Sequence, residues 1–201
     1  MQGGRWPWRW REGWAAARRK MKSYVALLRG IGPGNPNMRN DKLRRVFEEL
    51  GFNNVRTVIS SGNVLFDSSS SAMRAMEAEV EAALPMRLGF SSTTIIRSRQ
   101  QIKALVDRDP FGKLEHSGKT NLNVTFLKKK PRTGLTFPYR PKDRAYTLLG
   151  LYGRDLCSVI DLTSSKTPDL MLWLEREFGK EITTRTFRTV DRILRKLNQT
   201  D

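Results

Sequence analysis

The side chains with the clearest chemistry in this 201-residue chain are cations set among glycines. Arg29 closes the apolar run Tyr24-Val-Ala-Leu-Leu and is followed by Gly30, Gly32 and Gly34. Glycines let backbone N–H groups converge on an anion, and a helix start just downstream adds positive potential. A glycine-rich turn that only reverses the chain is the simpler account. The spacing, and the absence of a Lys-Ser/Thr pair, exclude a P-loop and a dinucleotide fingerprint. A second group is Ser60, Ser61 and Asn63. Asn tolerates left-handed backbone, so a turn explains it, while a ligand role needs Asn63 to face the Arg29 loop. A third is Lys166 with Thr183, Thr184 and Arg185, where a cation next to a helix start could hold phosphate or carboxylate; ordinary capping is the plain alternative.

Other chemistries are poorly supplied. Cys157 and His116 are the only residues of their types, so an intrachain disulfide is excluded, and a zinc site or Cys-His pair has no ligand set. Asp67, Asp161 and Asp191 lack neighbours of metal-ligand type, so no metal or other cofactor is expected. Asp107 and Asp109 read as a helix terminus, not an acid/base pair. The formal net charge is +17. Such a balance draws polyanions by long-range attraction. A basic run, Lys128-Lys129-Lys130 with Arg132, Arg140, Lys142 and Arg144, is flanked by Phe137 and Tyr139. That pattern suits single-stranded nucleic acid, although a solvated loop also explains it.

Strands and helices must place these groups. No apolar run reaches membrane-span length, so a soluble, cytoplasmic protein is expected. Residues 1–20 hold four of the five tryptophans and six cations against Glu12, and read as a disordered extension. Residues 21–97 read as one subdomain. Strands are expected at 23–28, 55–59, 64–66 and 93–97, with helices at 40–50 and 72–84. Ser60-Ser61-Gly62-Asn63 is expected as a tight hairpin turn, and Pro85 as the stop of the second helix. The order βαββαβ is that of ferredoxin-like α+β folds. Residues 98–201 read as a second small α+β subdomain with a mostly antiparallel sheet. Ser98 and Gln101 have capping-box spacing. Strands follow at 122–127, 145–149 and 156–162, then a helix opened by Thr167-Pro168, a polar link at 183–186 and a last helix through Val190, Ile193, Leu194 and Leu197.

Several blocks together, Tyr24-Val-Ala-Leu-Leu-Arg-Gly-Ile, Leu50-Gly-Phe, Val55-Arg-Thr, Ser61-Gly-Asn-Val, Pro110-Phe and Thr183-Thr-Arg…Thr189-Val, resemble the domain-of-unknown-function 1697 family. The resemblance implies a bacterial-type α+β protein of two small ferredoxin-like parts, and no activity. The chain departs from the family pattern where Gly32-Pro33-Gly34-Asn35-Pro36 replaces Asn-Val-Gly-Gly, where Thr186-Phe187 replaces Asn-Trp, and where Thr163-Ser164-Ser165-Lys166 replaces Gly-Arg-Ser-Lys. The function expected from sequence is binding of an anionic ligand, nucleic acid or a phosphorylated metabolite. Hydrolysis of a phosphate or acyl-phosphate bond is the first alternative, and a self-associating homodimer the second.

Overall fold

Apolar residues on both faces make β1 (Lys22–Leu28) an interior strand. Alternation along a strand sends Val25 and Leu27 to one side and Tyr24, Ala26 and Leu28 to the other, and all five are buried. The computed structural model describes residues 20–32, 34–164 and 169–199. After β1 come α1 (Asn40–Glu49), β2 (Asn53–Thr57), β3 (Asn63–Ser68), α2 (Met73–Leu88), β4 (Thr94–Ser98) and α3 (Arg99–Asp107). The second half holds β5 (Thr120–Leu127), β6 (Tyr146–Tyr152), β7 (Asp155–Asp161), α4 (Leu170–Phe178), β8 (Ile182–Thr186) and α5 (Phe187–Asn198).

Each half forms a four-stranded antiparallel sheet. The orders are β2-β3-β1-β4 and β6-β7-β5-β8, which is one topology used twice. The first half is the ferredoxin-like βαββαβ unit that the sequence predicts. The second keeps the strand order but crosses from β5 to β6 by an irregular segment containing Pro131, Pro138 and Pro141, which lack the N–H a helix interior needs. In both halves a further helix leaves the fourth strand. Ser98 caps α3 by accepting from the Gln101 N–H at 3.2 Å, and Thr186 caps α5 by accepting from the Thr189 N–H at 3.3 Å.

The odd-numbered β1 side chains join one shared cluster. It contains Leu65, Ile95, Ile102 and Leu105 from the first half, and Leu122, Val124, Phe126, Val190 and Ile193 from the second. The even-numbered β1 side chains pack under α1 and α2 with Phe47, Phe66 and Val80. A third cluster packs α4, through Leu170 and Leu174, on Tyr146, Leu148, Leu156 and Ile182. Among the described residues, no helix is long and apolar enough to cross a membrane.

Three local expectations are corrected. Pro85 does not stop α2: the helix carries it inside and ends at Gly89, whose φ of 73° lets its N–H return to the Pro85 carbonyl. The polar stretch 183–186 is strand, since Thr183, Thr184, Arg185 and Thr186 pair with β5; cross-strand pairing outweighs its lack of apolar residues. The hairpin expected at residues 60–63 forms, since β2 pairs with β3, but its connection is longer and shifted: β2 ends at Thr57, Ile59 and Gly62 take positive φ, and Asn63 is already strand. Residues 1–19, Lys166, and the Thr167-Pro168 helix start lie outside the described residues.

Candidate functional site

Of the residues the sequence singles out, Asn63 meets Ser61 and Arg185 while Arg29 reaches elsewhere, and all spend polar groups on the protein itself. Arg29 crosses to the second half, where Nη2 pairs with Glu175 Oε1 at 2.5 Å and Nη1 donates to the Lys180 carbonyl. Asn63 is buried; its Nδ2 donates to the Val58 carbonyl and to Ser61 Oγ, both at 3.0 Å. Its Oδ1 accepts from Arg185 Nε at 2.6 Å. Arg185 also donates to the carbonyls of Leu28 and Thr184 and to Thr183 Oγ1. Burial pushes its pKa down to about 10. Thr184 shares a 2.7 Å hydrogen bond with Thr125 in the sheet. Gly30 takes a φ of 72° in an exposed turn, and the Gly32 N–H faces the Met38 sulfur at 3.4 Å. The Arg29 loop is therefore a seam between halves, with its guanidinium already neutralised.

This seam has a counterpart at the other end of the molecule. Arg97 precedes the cap of α3 as Arg185 precedes the cap of α5. Arg97 Nε donates to Asp155 Oδ1 at 3.0 Å, and Asp155 opens β7 as Asn63 opens β3. Its Nη2 donates to the carbonyl of Leu127, the last residue of β5, at 2.9 Å; Arg185 does the same to Leu28, the last residue of β1, at 2.7 Å. Both arginines return an Nη1 proton to the preceding residue's carbonyl. The ion pair is repeated as well: Lys128 reaches back to Glu81 on α2 at 2.5 Å, as Arg29 reaches forward to Glu175 on α4. Each half thus pushes one arginine into the strand ends of the other.

The two ends differ in what they leave open. At the Arg97 end, a cleft of about 370 Å³ lies between α3 and the β6–β7 turn. Arg97, Gln101, Arg108, Tyr152, Arg154 and Asp155 are among its lining residues. Gly153, with φ of 67°, opens the two-residue turn and places Arg154 beside the strand end. Gly150 makes room for Tyr152, whose hydroxyl would stand 2.7 Å from a Cβ there. The Arg108 guanidinium lies 4.7 Å from the centre of the Tyr152 ring and hydrogen-bonds to nothing among the described residues. Arg154 commits Nη1 to the Lys128 carbonyl and keeps its other N–H groups. Gln101 Oε1 accepts from the Ser98 N–H, which leaves the amide NH₂ of Gln101 to donate.

The floor of the cleft is charged and buried. Arg97 is 1% exposed. Burial lowers its pKa, and Asp155 opposes that shift. Burial raises the Asp155 pKa while Arg97 pulls it back. The pair cancels, so the cleft's excess charge comes from Arg108 and Arg154. Nearby Glu77 is fully buried; Oε1 accepts from the Ile96 N–H at 2.8 Å and Oε2 has no partner. Burial raises its pKa, against Lys128, Arg154 and Arg97. Among the described residues, no three of His, Cys, Asp and Glu gather as metal ligands.

Sequence reasoning missed every cleft residue. One signal was available: Ile95-Ile96-Arg97-Ser98 and Thr183-Thr184-Arg185-Thr186 place an arginine before a hydroxyl cap at the end of the fourth strand in each half.

One strand order used twice, joined by reciprocal arginines, defines a doubled ferredoxin-like α+β protein. The chain belongs to the DUF1697 family of proteins of unknown function, whose model matches residues 21–156. Its fold is similar to that of a conserved bacterial protein from Streptococcus pneumoniae, with a TM-score of 0.68 and 21% identity over 90% of this chain and 100% of that one. No curated protein matches the chain.

Proposed function

We propose that this protein binds an anionic ligand, a phosphorylated metabolite or nucleic acid, in the cleft between α3 and the β6–β7 turn. The observation that carries the reading is that Arg108 and Arg154 face the cleft with no carboxylate of their own, while its single acid, Asp155, is already held by Arg97. Guanidinium groups with free N–H forks suit phosphate and carboxylate oxygens. The buried Arg97–Asp155 pair gives these two side chains a fixed base. The residues first suspected from sequence, Arg29, Asn63 and Arg185, serve in this reading to hold the halves together.

Titration calorimetry with phosphate esters and a single-stranded oligonucleotide tests it. Binding should weaken as salt rises. It should fall at least about tenfold in Arg108→Ala and in Arg154→Ala, each losing a charge-assisted contact. Arg29→Ala should bind as the parent does. Affinity unchanged in both cleft variants would overturn the proposal.

A further inference from the structure

Arg154 lines more than one hollow. A second groove of about 350 Å³ is lined by Ala72, Met73, Arg74, Lys130 and, again, Arg154. Arg154 therefore stands between two cationic hollows. Arg74 and Lys130 are exposed, and neither has an ion-pair or hydrogen-bond partner among the described residues. Four uncompensated cations thus line one short path: Arg108, Arg154, Lys130 and Arg74. The path is bounded, because the two lysines before Lys130 are committed, Lys128 to Glu81 at 2.5 Å and Lys129 to Glu181 at 2.6 Å. Nearby Glu77 is buried, and its Oε1 is taken by the Ile96 N–H.

We infer that the two grooves form one site for a small molecule carrying two separate phosphoryl groups, one on each side of Arg154. This rests on the anion-binding reading of the first cleft and adds the second groove to it. Charge decides between sources of phosphate. A phosphomonoester carries about −1.5 to −2 at neutral pH, so two of them match four cations. A phosphodiester strand carries about one charge per phosphate and gains by continuing along a cationic track. Here the adjoining lysines, Lys128 and Lys129, are already paired with Glu81 and Glu181. Each hollow, at about 370 and 350 Å³, is near the lower end of the range for small-molecule sites, roughly 300–1,000 Å³.

The test uses the full chain and flexible probes that assume no particular metabolite: alkane-α,ω-bisphosphates with two to six methylenes, hexyl phosphate as the monophosphate, and a single-stranded oligonucleotide. Linking two groups that both find a site raises affinity steeply once the linker spans them. At least one bisphosphate should bind about tenfold or more tighter than hexyl phosphate. Arg74→Ala and Lys130→Ala should abolish that gain and leave hexyl phosphate affinity as it was, whereas Arg108→Ala should weaken both. If no linker length outbinds hexyl phosphate, or if the gain survives in Arg74→Ala/Lys130→Ala, the second groove has no part and the single-cleft reading stands alone. If neither hexyl phosphate nor any bisphosphate binds, the reading beneath it falls too. An oligonucleotide that outcompetes every bisphosphate at equal phosphate concentration would assign the path to a strand and overturn the small-molecule proposal.

Discussion

Replacing Arg97 by methionine keeps most of the buried stem and removes the charge. The wild-type guanidinium donates to Asp155 and to the carbonyls of Ile96, Leu127 and Arg154, from a position 1% exposed. Its loss leaves the Asp155 carboxylate buried without its cation. Breaking a buried pair from one side costs about 3–5 kcal/mol. With a urea slope of about 2 kcal/mol/M, the unfolding midpoint should drop by roughly 1.5–2.5 M. Arg185→Met is the internal control. It strands neutral acceptors, Asn63 Oδ1 and the Leu28 carbonyl, so it should cost less, about 1–3 kcal/mol. Two further results check the charge argument. Arg97→Met/Asp155→Asn should recover at least about 1 kcal/mol, since the orphaned charge is gone. The Arg97→Met loss should also shrink as pH falls. Without Arg97, Asp155 loses the partner that held its pKa down, so its folded pKa rises further above the unfolded value. A carboxyl shifted that way contributes stability when protonated and loses it as pH rises through the folded pKa. Urea melts of the four chains at pH 5 and pH 8 read all of this. An Arg97→Met loss no larger than that of Arg185→Met, and independent of pH, would refute the account.

Two other outcomes follow from buried titratable groups. Glu77 has a folded pKa raised by burial, so wild-type stability should fall as pH climbs from the unfolded carboxyl value through the raised one. Glu77→Gln should flatten that part of the pH–stability curve and match or exceed the parent at pH 8, as read by urea unfolding. The Cys157 thiol is fully buried, and burial first, then the Asp155 charge, pushes its pKa up to about 12. Iodoacetamide should leave it unmodified in the native protein and alkylate it once urea unfolds the chain, as read by intact mass.

The fold was legible because its signals are local and consistent. Tyr24-Val-Ala-Leu-Leu reads as a strand apolar on both sides and is one. The Ser98–Gln101 capping box forms as its spacing predicts. What misled was the assumption that single-residue chemistry outranks pairing. A proline sits in the last turn of α2, and Gly89, four residues on, supplies the terminus. Thr183-Thr-Arg-Thr reads as a link by composition, yet β5 offers it a partner strand, and that partner lies about sixty residues away where no local window sees it. The candidate site was less legible for the same reason. Asn63 and Arg185 converge and Arg29 does not join them, yet each has a partner in the other half of the chain. Arg108, Tyr152 and Arg154 look like ordinary surface residues in sequence; only the approach of α3 to the β6–β7 turn makes them a cleft.

The doubled fold explains why one end is open and the other shut. Backbone hydrogen bonds place Gly62 and Arg154 in equivalent positions: the Leu28 N–H donates to the Gly62 carbonyl as the Leu127 N–H donates to the Arg154 carbonyl, 2.8 and 2.9 Å. At Gly62 a side chain has no room, because a Cβ would stand 2.5 Å from Ile31 Cγ1 and the φ is 71°. At Arg154 the same position carries a guanidinium beside the cleft. The next position differs in charge: Asn63 is neutral, and Asp155 is an anion that neutralises the inserted arginine. One topology therefore yields a closed seam where the loop after β1 folds over Gly62, and a cationic hollow where the β6–β7 turn stands clear of it. Substitutions at Arg29 and Arg185, whose groups are spent within the protein, should therefore register in stability, and those at Arg108 and Arg154 in binding.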